Sequence, residues 1–222
     1  MGIQWLLWCP IIINKDQLIN NMYNKVALFL NGEKPKLIPE LKHYDWIVCT
    51  DGAYHFLMES HITPDLIIGD FDSIGSLPEN IPHVHTPNQD YTDFEKALVH
   101  ILKKGFSVID VFAANGLEQD HFLGNLTTAL KFKKKLKITF FDDNHTYFFI
   151  NKKTVINDVL DKTISLFPFP KATKVCTKGL KYVLNGKTLS MKKNKVGTRN
   201  KAIDSDVEIQ FKKGELLMFV EI

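Results

Sequence analysis

Cysteine is scarce in this chain of 222 residues: Cys9, Cys49 and Cys176 are odd in number, widely spaced and never form a CxxC. That argues against a disulfide framework or a zinc site and leads us to expect a reducing, cytoplasmic setting. Long apolar runs are missing too. No window approaches the ~18 consecutive apolar residues of a membrane-spanning helix, so no membrane partner is expected. The run Ile3 to Ile13 is apolar, but Pro10 breaks it and no Lys or Arg precedes it, which does not fit a secretory signal. Residues 1–24 are expected to form a poorly ordered N-terminal extension. An excess of one charge is also lacking: the net charge of +3 is too small to point to nucleic acid. No GxxxxGK[ST], GxGxxG after a first strand, GxSxG or HExxH occurs, so a P-loop, a dinucleotide fingerprint, a serine-hydrolase elbow and a zincin all lack support.

What is present is an ordinary globular composition, 45% apolar and 24% charged, with charge unevenly spread. Residues 1–150 hold 13 Lys and Arg against 18 Asp and Glu, and residues 151–222 hold 15 against 7. The texture changes at the same place. Up to about residue 150, short apolar runs at 26–32, 46–50, 66–68, 83–85, 107–113 and 136–141 alternate with helical patterns at 53–59, 92–104 and 119–130. Phe94, Leu98, Ile101 and Leu102 recur at helical spacing, Thr92 and Glu95 form a capping box, and Gly105 ends that helix. Beyond it, only short strand-like runs remain, at 154–159, 163–167, 173–176, 180–184, 207–211 and 216–221, separated by Pro, Gly and Asn turns. The pattern predicts an N-terminal open, mostly parallel α/β sheet of Rossmann-like form over 25–150, followed by a C-terminal all-β sandwich over 151–222.

In open α/β sheets, ligands bind beyond the carboxyl ends of the strands, and the acidic residues of this chain fall there. Asp51 follows the second run, Asp70 and Asp72 follow the third in GDFDS (69–73), Asp90 and Asp93 open the 92–104 helix, and Asp120 opens the next. Carboxylates gathered on one rim repel one another unless protons or a cation intervene. A hard dication such as Mg²⁺ joins one or two carboxylates to substrate phosphates. Lys96 shares a helix face with Asp93, and the two form either a surface ion pair or a metal ligand beside a phosphate contact. His121 and Asn125 share a face of the following helix.

The order of motifs resembles the thiamine pyrophosphokinases. The stretches that carry the likeness are DGAYHFL (51–57), PDLIIGDFDSI (64–74), DYTDFEKAL (90–98), GLEQDHFLGNL (116–126), GLKYVL (179–184) and GTRN (197–200). The resemblance implies a homodimer that moves a diphosphoryl group from ATP to the thiamine hydroxyl, giving thiamine diphosphate and AMP. It implies that Asp70, Asp72 and Asp93 hold Mg²⁺, with Lys96 as the fourth catalytic residue. Asp51, Gly69, Ser73, Asp90, Thr92, Asp120, His121 and Asn125 would bind the nucleotide. Leu180, Tyr182, Thr198, Arg199 and Asn200 would approach thiamine across the dimer interface. Two positions depart from the family pattern: Glu118 stands where many members carry Arg, and Arg199 where Ser is common.

Two other readings stay open at the level of sequence. One is a homologue that binds thiamine or nucleotide but is impaired in transfer by Glu118. The other is a haloacid-dehalogenase-like phosphatase, whose DxDx[TV] signature Asp70–Ile74 approaches, with Asp142 and Asp143 as a distal acidic pair.

Overall fold

The computed structural model describes residues 24–36, 38 and 40–222. The extension expected over 1–24 therefore lies outside the described residues but for Asn24. Strand β1 (Lys25–Phe29) alternates strictly, with Val26 and Leu28 entering one apolar cluster and Ala27 and Phe29 another. A period of two with both faces apolar marks a strand buried on both sides. Strands β2 (Trp46–Thr50) and β5 (Val108–Phe112) flank it in parallel register. Strands β3 (Leu66–Gly69) and β4 (His83–His85) extend one side, and β6 (Lys137–Phe141) extends the other, again in parallel.

Among the described residues, three α-helices accompany these strands: α1 (Tyr54–Glu59), α2 (Asp93–Lys103) and α3 (Gln119–Phe132). Phe94, Leu98 and Ile101 of α2 and Leu126, Ala129 and Phe132 of α3 share one buried cluster with Val26, Leu28, Val48 and Ile68. The Thr92 hydroxyl accepts the Glu95 N–H at 3.2 Å, so α2 begins on the expected cap.

The expected fold class, a Rossmann-like open α/β sheet followed by an all-β sandwich, is overturned. The strands form one 13-stranded mixed sheet in the order β4-β3-β2-β1-β5-β6-β7-β13-β9-β12-β8, with few helices; β10 and β11 also pair with β9. The reason is the turn after β6. Asp142 Oδ1 accepts the N–H groups of Asn144 and His145, both at 2.7 Å, and the chain reverses at once into β7 (His145–Phe149), antiparallel to β6. Strand β7 then pairs with β13 (Lys213–Glu221), which carries the ladder onward without a break. Side chains of β13 serve two cores: Leu217 joins the cluster under α2 and α3, while Leu216, Met218 and Val220 join a second cluster with Ile164, Leu166 and Ile209.

The remaining strands are β8 (Lys153–Ile156), β9 (Thr163–Lys178), β10 (Lys187–Ser190), β11 (Gly197–Lys201) and β12 (Val207–Gln210). The runs read as separate at 163–167 and 173–176 are one 16-residue strand, β9, that pairs with four others. The run 180–184 is not a strand: Leu180 makes only an isolated bridge to Ala202.

Candidate active site

The parallel strands end on one edge, and the segments that leave them enclose a cleft of about 420 Å³. Leu30, Asn31 and Gly32 follow β1, Thr50 and Asp51 lie at the end of β2, and Ala113, Ala114 and Asn115 follow β5. Backbone bonds tie the first and last of these segments together: Gly32 N–H donates to Ala113 O at 2.8 Å, and Glu33 N–H to Asn115 O at 2.7 Å.

Asp51 is the centre of the acidic rim and is only 3% exposed. Its carboxylate accepts the N–H of Gly52 and the N–H of Phe71, both at 2.9 Å. Gly69 lets it sit there, because a Cβ at that position would lie 2.5 Å from the Asp51 carboxyl carbon. Phe71 has φ 70°, a left-handed conformation that costs a non-glycine residue of order 1–3 kcal/mol. Its ring is held between His83 and His85, with centroids 5.7 and 5.4 Å away. The residues on either side, Asp70 and Asp72, are thereby turned toward Asp51. One carboxylate oxygen from each of Asp51, Asp70 and Asp72 lies within 4.8 Å of the others.

Electrostatics separates these carboxylates. Burial, with the nearby charges of Asp93 and Asp70, pushes the Asp51 carboxyl upward; its two N–H donors offset part of this. Asp70 is held below the usual carboxylate range, chiefly by Gln89, whose Nε2 donates to Oδ2 at 2.6 Å, then by the Asp72 N–H and by Lys96. The Ser73 hydroxyl donates to Asp72 at 2.8 Å. Three oxygen donors of a single sign, with no imidazole or thiolate among them, suit a hard dication.

Across the cleft mouth, Asp93 opens α2 and its Oδ1 takes the Lys96 ammonium at 3.0 Å. The Lys96 side chain is only 8% exposed, and the residue lines the cleft beside Asp93. Asp93 stands beside the carboxylate trio, close enough to raise Asp51, but it is paired with Lys96 and is not one of the three. Asp90 and Thr92 line the same wall. At the far end, Asn125 donates to Ala114 O at 2.9 Å, and Glu118 Oε2 lies 3.2 Å from His121 Nδ1. Asp120 accepts the N–H of His121.

Family models match both portions of the chain. Residues 37–140 match the thiamin pyrophosphokinase catalytic domain, and residues 150–216 match the thiamin pyrophosphokinase vitamin B1 binding domain. The Bacillus subtilis thiamine pyrophosphokinase is 32% identical over 210 residues, which cover 87% of this chain and 97% of that protein. The chain belongs to the thiamine pyrophosphokinase family. Thiamin pyrophosphokinase 1 of Caenorhabditis elegans is 26% identical, covering 86% of this chain and 87% of its own length. The crystal structure of thiamine pyrophosphokinase from Bacillus subtilis superposes with a TM-score of 0.75 at 27% identity, over 89% of this chain and 98% of that one.

In this thiamine pyrophosphokinase family member, Asp51, Ser73, Asp90, Thr92, Asp93, Lys96, His121 and Asn125 of the residues read from sequence line the cleft, whereas Gly69, Asp70, Asp72 and Asp120 do not. Leu180 and Tyr182, in the segment before β10, and Thr198, Arg199 and Asn200, on β11, do not line it either. They form a unit of their own. Asn200 Oδ1 accepts the Tyr182 N–H at 3.0 Å, and its Nδ2 donates to Tyr182 O at 2.7 Å, while Tyr182 as a whole is 64% exposed. Asp142 and Asp143 shape the β6–β7 turn, and Asp143 accepts the Lys36 N–H. Four strand steps separate β6 from β3, roughly 19 Å at ~4.8 Å each. These acids therefore cannot share an ion with Asp70 as a phosphatase would need. Reading the sequence missed Gln89, Asn31 and Leu117, which also line the cleft. Gln89 adjoins Asp90 in the quoted motif, and that adjacency was its only signal.

Proposed function

We propose that this chain catalyses transfer of a diphosphoryl group from ATP to the hydroxyl of thiamine, giving thiamine diphosphate and AMP. The observation that carries the reading is the trio of Asp51, Asp70 and Asp72 facing the sheltered Lys96, on one rim of a cleft in a thiamine pyrophosphokinase family member. Asp51, Asp70 and Asp72, with Asp93 adjoining, are the residues to hold Mg²⁺. The ion supplies charge neutralisation for the polyphosphate. The chemistry asks the protein for positioning and electrostatics rather than covalent work. The thiamine oxygen bonds to the β-phosphorus, the bond from that phosphorus to the bridging oxygen breaks, and AMP leaves with the electron pair. Lys96 offsets the charge that develops on the phosphoryl oxygens. We assign the hydroxyl proton to Asp72 or Asp93.

On this reading residues 25–150 carry the nucleotide and residues 151–222 carry thiamine, on the surface around Leu180, Tyr182, Thr198, Arg199 and Asn200. Because those residues stand outside the cleft of their own chain, a homodimer that brings them to a partner's cleft completes the site. A cytoplasmic setting suits the use of ATP. The test is to incubate the purified protein with ATP, Mg²⁺ and thiamine and resolve the products. Thiamine diphosphate with AMP supports the proposal, whereas thiamine monophosphate with ADP, or no product, overturns it.

A further inference from the structure

The two ends of the cleft have opposite character. Asp51 and Lys96 line the end nearest β2 and β3, with Asp70 and Asp72 beside Asp51, so that a cation and a phosphate chain would be met there by complementary charge. The other end lies past β5, three strand steps from β3, or about 14 Å at ~4.8 Å a step. There the wall is formed by Leu117, Glu118, His121 and Asn125. Leu117 is 65% exposed, an apolar side chain lining the cleft. Glu118 is the residue before the first turn of α3, yet its side chain makes no capping hydrogen bond. Its carboxylate is instead held beside the His121 ring, Oε2 to Nδ1 at 3.2 Å.

A carboxylate is a poor neighbour for a phosphate, since like charges repel. As an ionised group it can only accept hydrogen bonds. The donors on a nucleoside triphosphate are the ribose hydroxyls and, on adenine, the exocyclic amine, all of which lie at the nucleoside end. An exposed leucine beside an acceptor thus matches a nucleoside and mismatches a polyphosphate.

We propose that Glu118 is a specificity-determining residue that accepts hydrogen bonds from the ribose 2′,3′-diol of the donor nucleotide, with His121 fixing its carboxylate and Leu117 supplying an apolar contact to the base. The assignment rests on the diphosphoryl-transfer reading above, in which the donor is a nucleoside triphosphate. It makes the chain selective for ribonucleotides at a position where charge alone would suggest lost phosphate binding.

The test is equilibrium binding of ATP and of 2′,3′-dideoxy-ATP, in Mg²⁺, to the wild-type protein and to Glu118→Ala and Glu118→Gln. The Glu118 side chain is 66% exposed, so these variants keep the fold. The wild-type protein should prefer ATP by about tenfold or more, the size of a lost hydrogen bond to a charged group. Glu118→Ala should bring the ratio close to one by weakening ATP alone, with Glu118→Gln in between because it keeps one acceptor. Equal wild-type affinities, or a Glu118→Ala loss shared equally by both nucleotides, overturn the assignment. So does a loss seen only when Mn²⁺ replaces Mg²⁺, because Glu118, Asp120 and His121 would then be holding a cation. Product analysis on the same samples separates the two claims. Thiamine diphosphate formed without ribose discrimination sinks the Glu118 assignment alone. Discrimination that Glu118→Ala abolishes, with no thiamine diphosphate formed, sustains the assignment and removes the transfer reading. Absence of nucleotide affinity removes both.

Discussion

The Asp51 carboxylate accepts the backbone N–H of Phe71 at 2.9 Å, joining the end of β2 to the loop after β3. This one bond explains how a residue with φ 70° persists between two acids. The strain is met by the hydrogen bond from outside and by burial of the Phe71 ring on the other side. Asp70 and Asp72 are consequently presented together, and the group that fixes them is itself a carboxylate of the same cluster.

The clearance between Gly69 and Asp51 sets the first prediction. A methyl group at position 69 would lie 2.5 Å from the Asp51 carboxyl carbon and 2.7 Å from Oδ1, and Asp51 is wedged in place by two backbone donors. Gly69→Ala should destabilise the protein by about 1–3 kcal/mol, the usual cost of overpacking. It should also weaken Mg²⁺-dependent nucleotide binding at least tenfold. Denaturant unfolding and a nucleotide titration check the two effects separately.

Asp51 also sets a pH dependence. Its carboxyl is raised in the folded chain, chiefly by burial, so the native state binds its proton more tightly than the unfolded state does. The slope of unfolding free energy with pH follows the protons bound in the unfolded minus the native state. Asp51 therefore contributes a loss of stability as pH rises from the ordinary carboxylate range through its own raised value. Asp70 has the opposite sign: its carboxyl is lowered, so its stabilisation is present at neutral pH and is lost as pH falls. In Asp51→Asn the Asp51 contribution vanishes. Unfolding measured without divalent ions should lose less stability than the wild-type protein between about pH 4 and 7, whatever the absolute stabilities. A slope unchanged from the wild type would show that Asp51 does not titrate in this way.

Much of this site was legible in sequence for a physical reason. Asp70, Asp72, Asp93 and Lys96 are fixed by local structure, a strand end and one helical turn, and local structure is what periodicity and capping report. The capping box at Thr92 placed the start of α2 within a residue. The role of Asp51 was less legible, because its grouping with Asp70 and Asp72 depends on parallel pairing of β2 with β3 and on the missing side chain at Gly69. The fold was misread where one strand serves two cores. Leu216, Leu217 and Met218 look like any apolar run, and nothing in their spacing says that alternate residues bind the chain's two portions into one sheet. Strand β9 was split in reading because Pro168 and Pro170 resemble strand ends, whereas the strand runs through both.

Lys96 yields a prediction about rate. Its ammonium is sheltered beside Asp93, with the side chain only 8% exposed. Lys96→Met keeps the length of the stem and its packing but removes the charge. Turnover should fall by about 10²–10³, the usual cost of deleting one preorganised electrostatic donor. Stability should change by less than about 1 kcal/mol, since the lost pair is partly solvated at Asp93. Single-turnover formation of AMP, measured beside thermal unfolding, distinguishes loss of chemistry from loss of fold.

Asn200 lies outside the cleft and should affect the acceptor rather than the nucleotide. Its side chain is 8% exposed and satisfies both backbone groups of Tyr182, holding the Lys181–Val183 turn against β11 with the Tyr182 ring outward. Asn200→Ala leaves that N–H and that carbonyl without their partner, at a cost of about 1–3 kcal/mol. Asn200→Asp is the more telling variant. A carboxylate can still accept the Tyr182 N–H, but it offers no donor to the Tyr182 carbonyl and sets a negative charge against it. If the Tyr182 surface receives thiamine, both variants should raise the KM for thiamine several-fold or more while leaving the KM for ATP within twofold. Tyr182→Ala, which spares the backbone clamp, should raise the thiamine KM without loss of stability. An equal rise in both KM values would place the effect in the fold as a whole and remove thiamine from this surface.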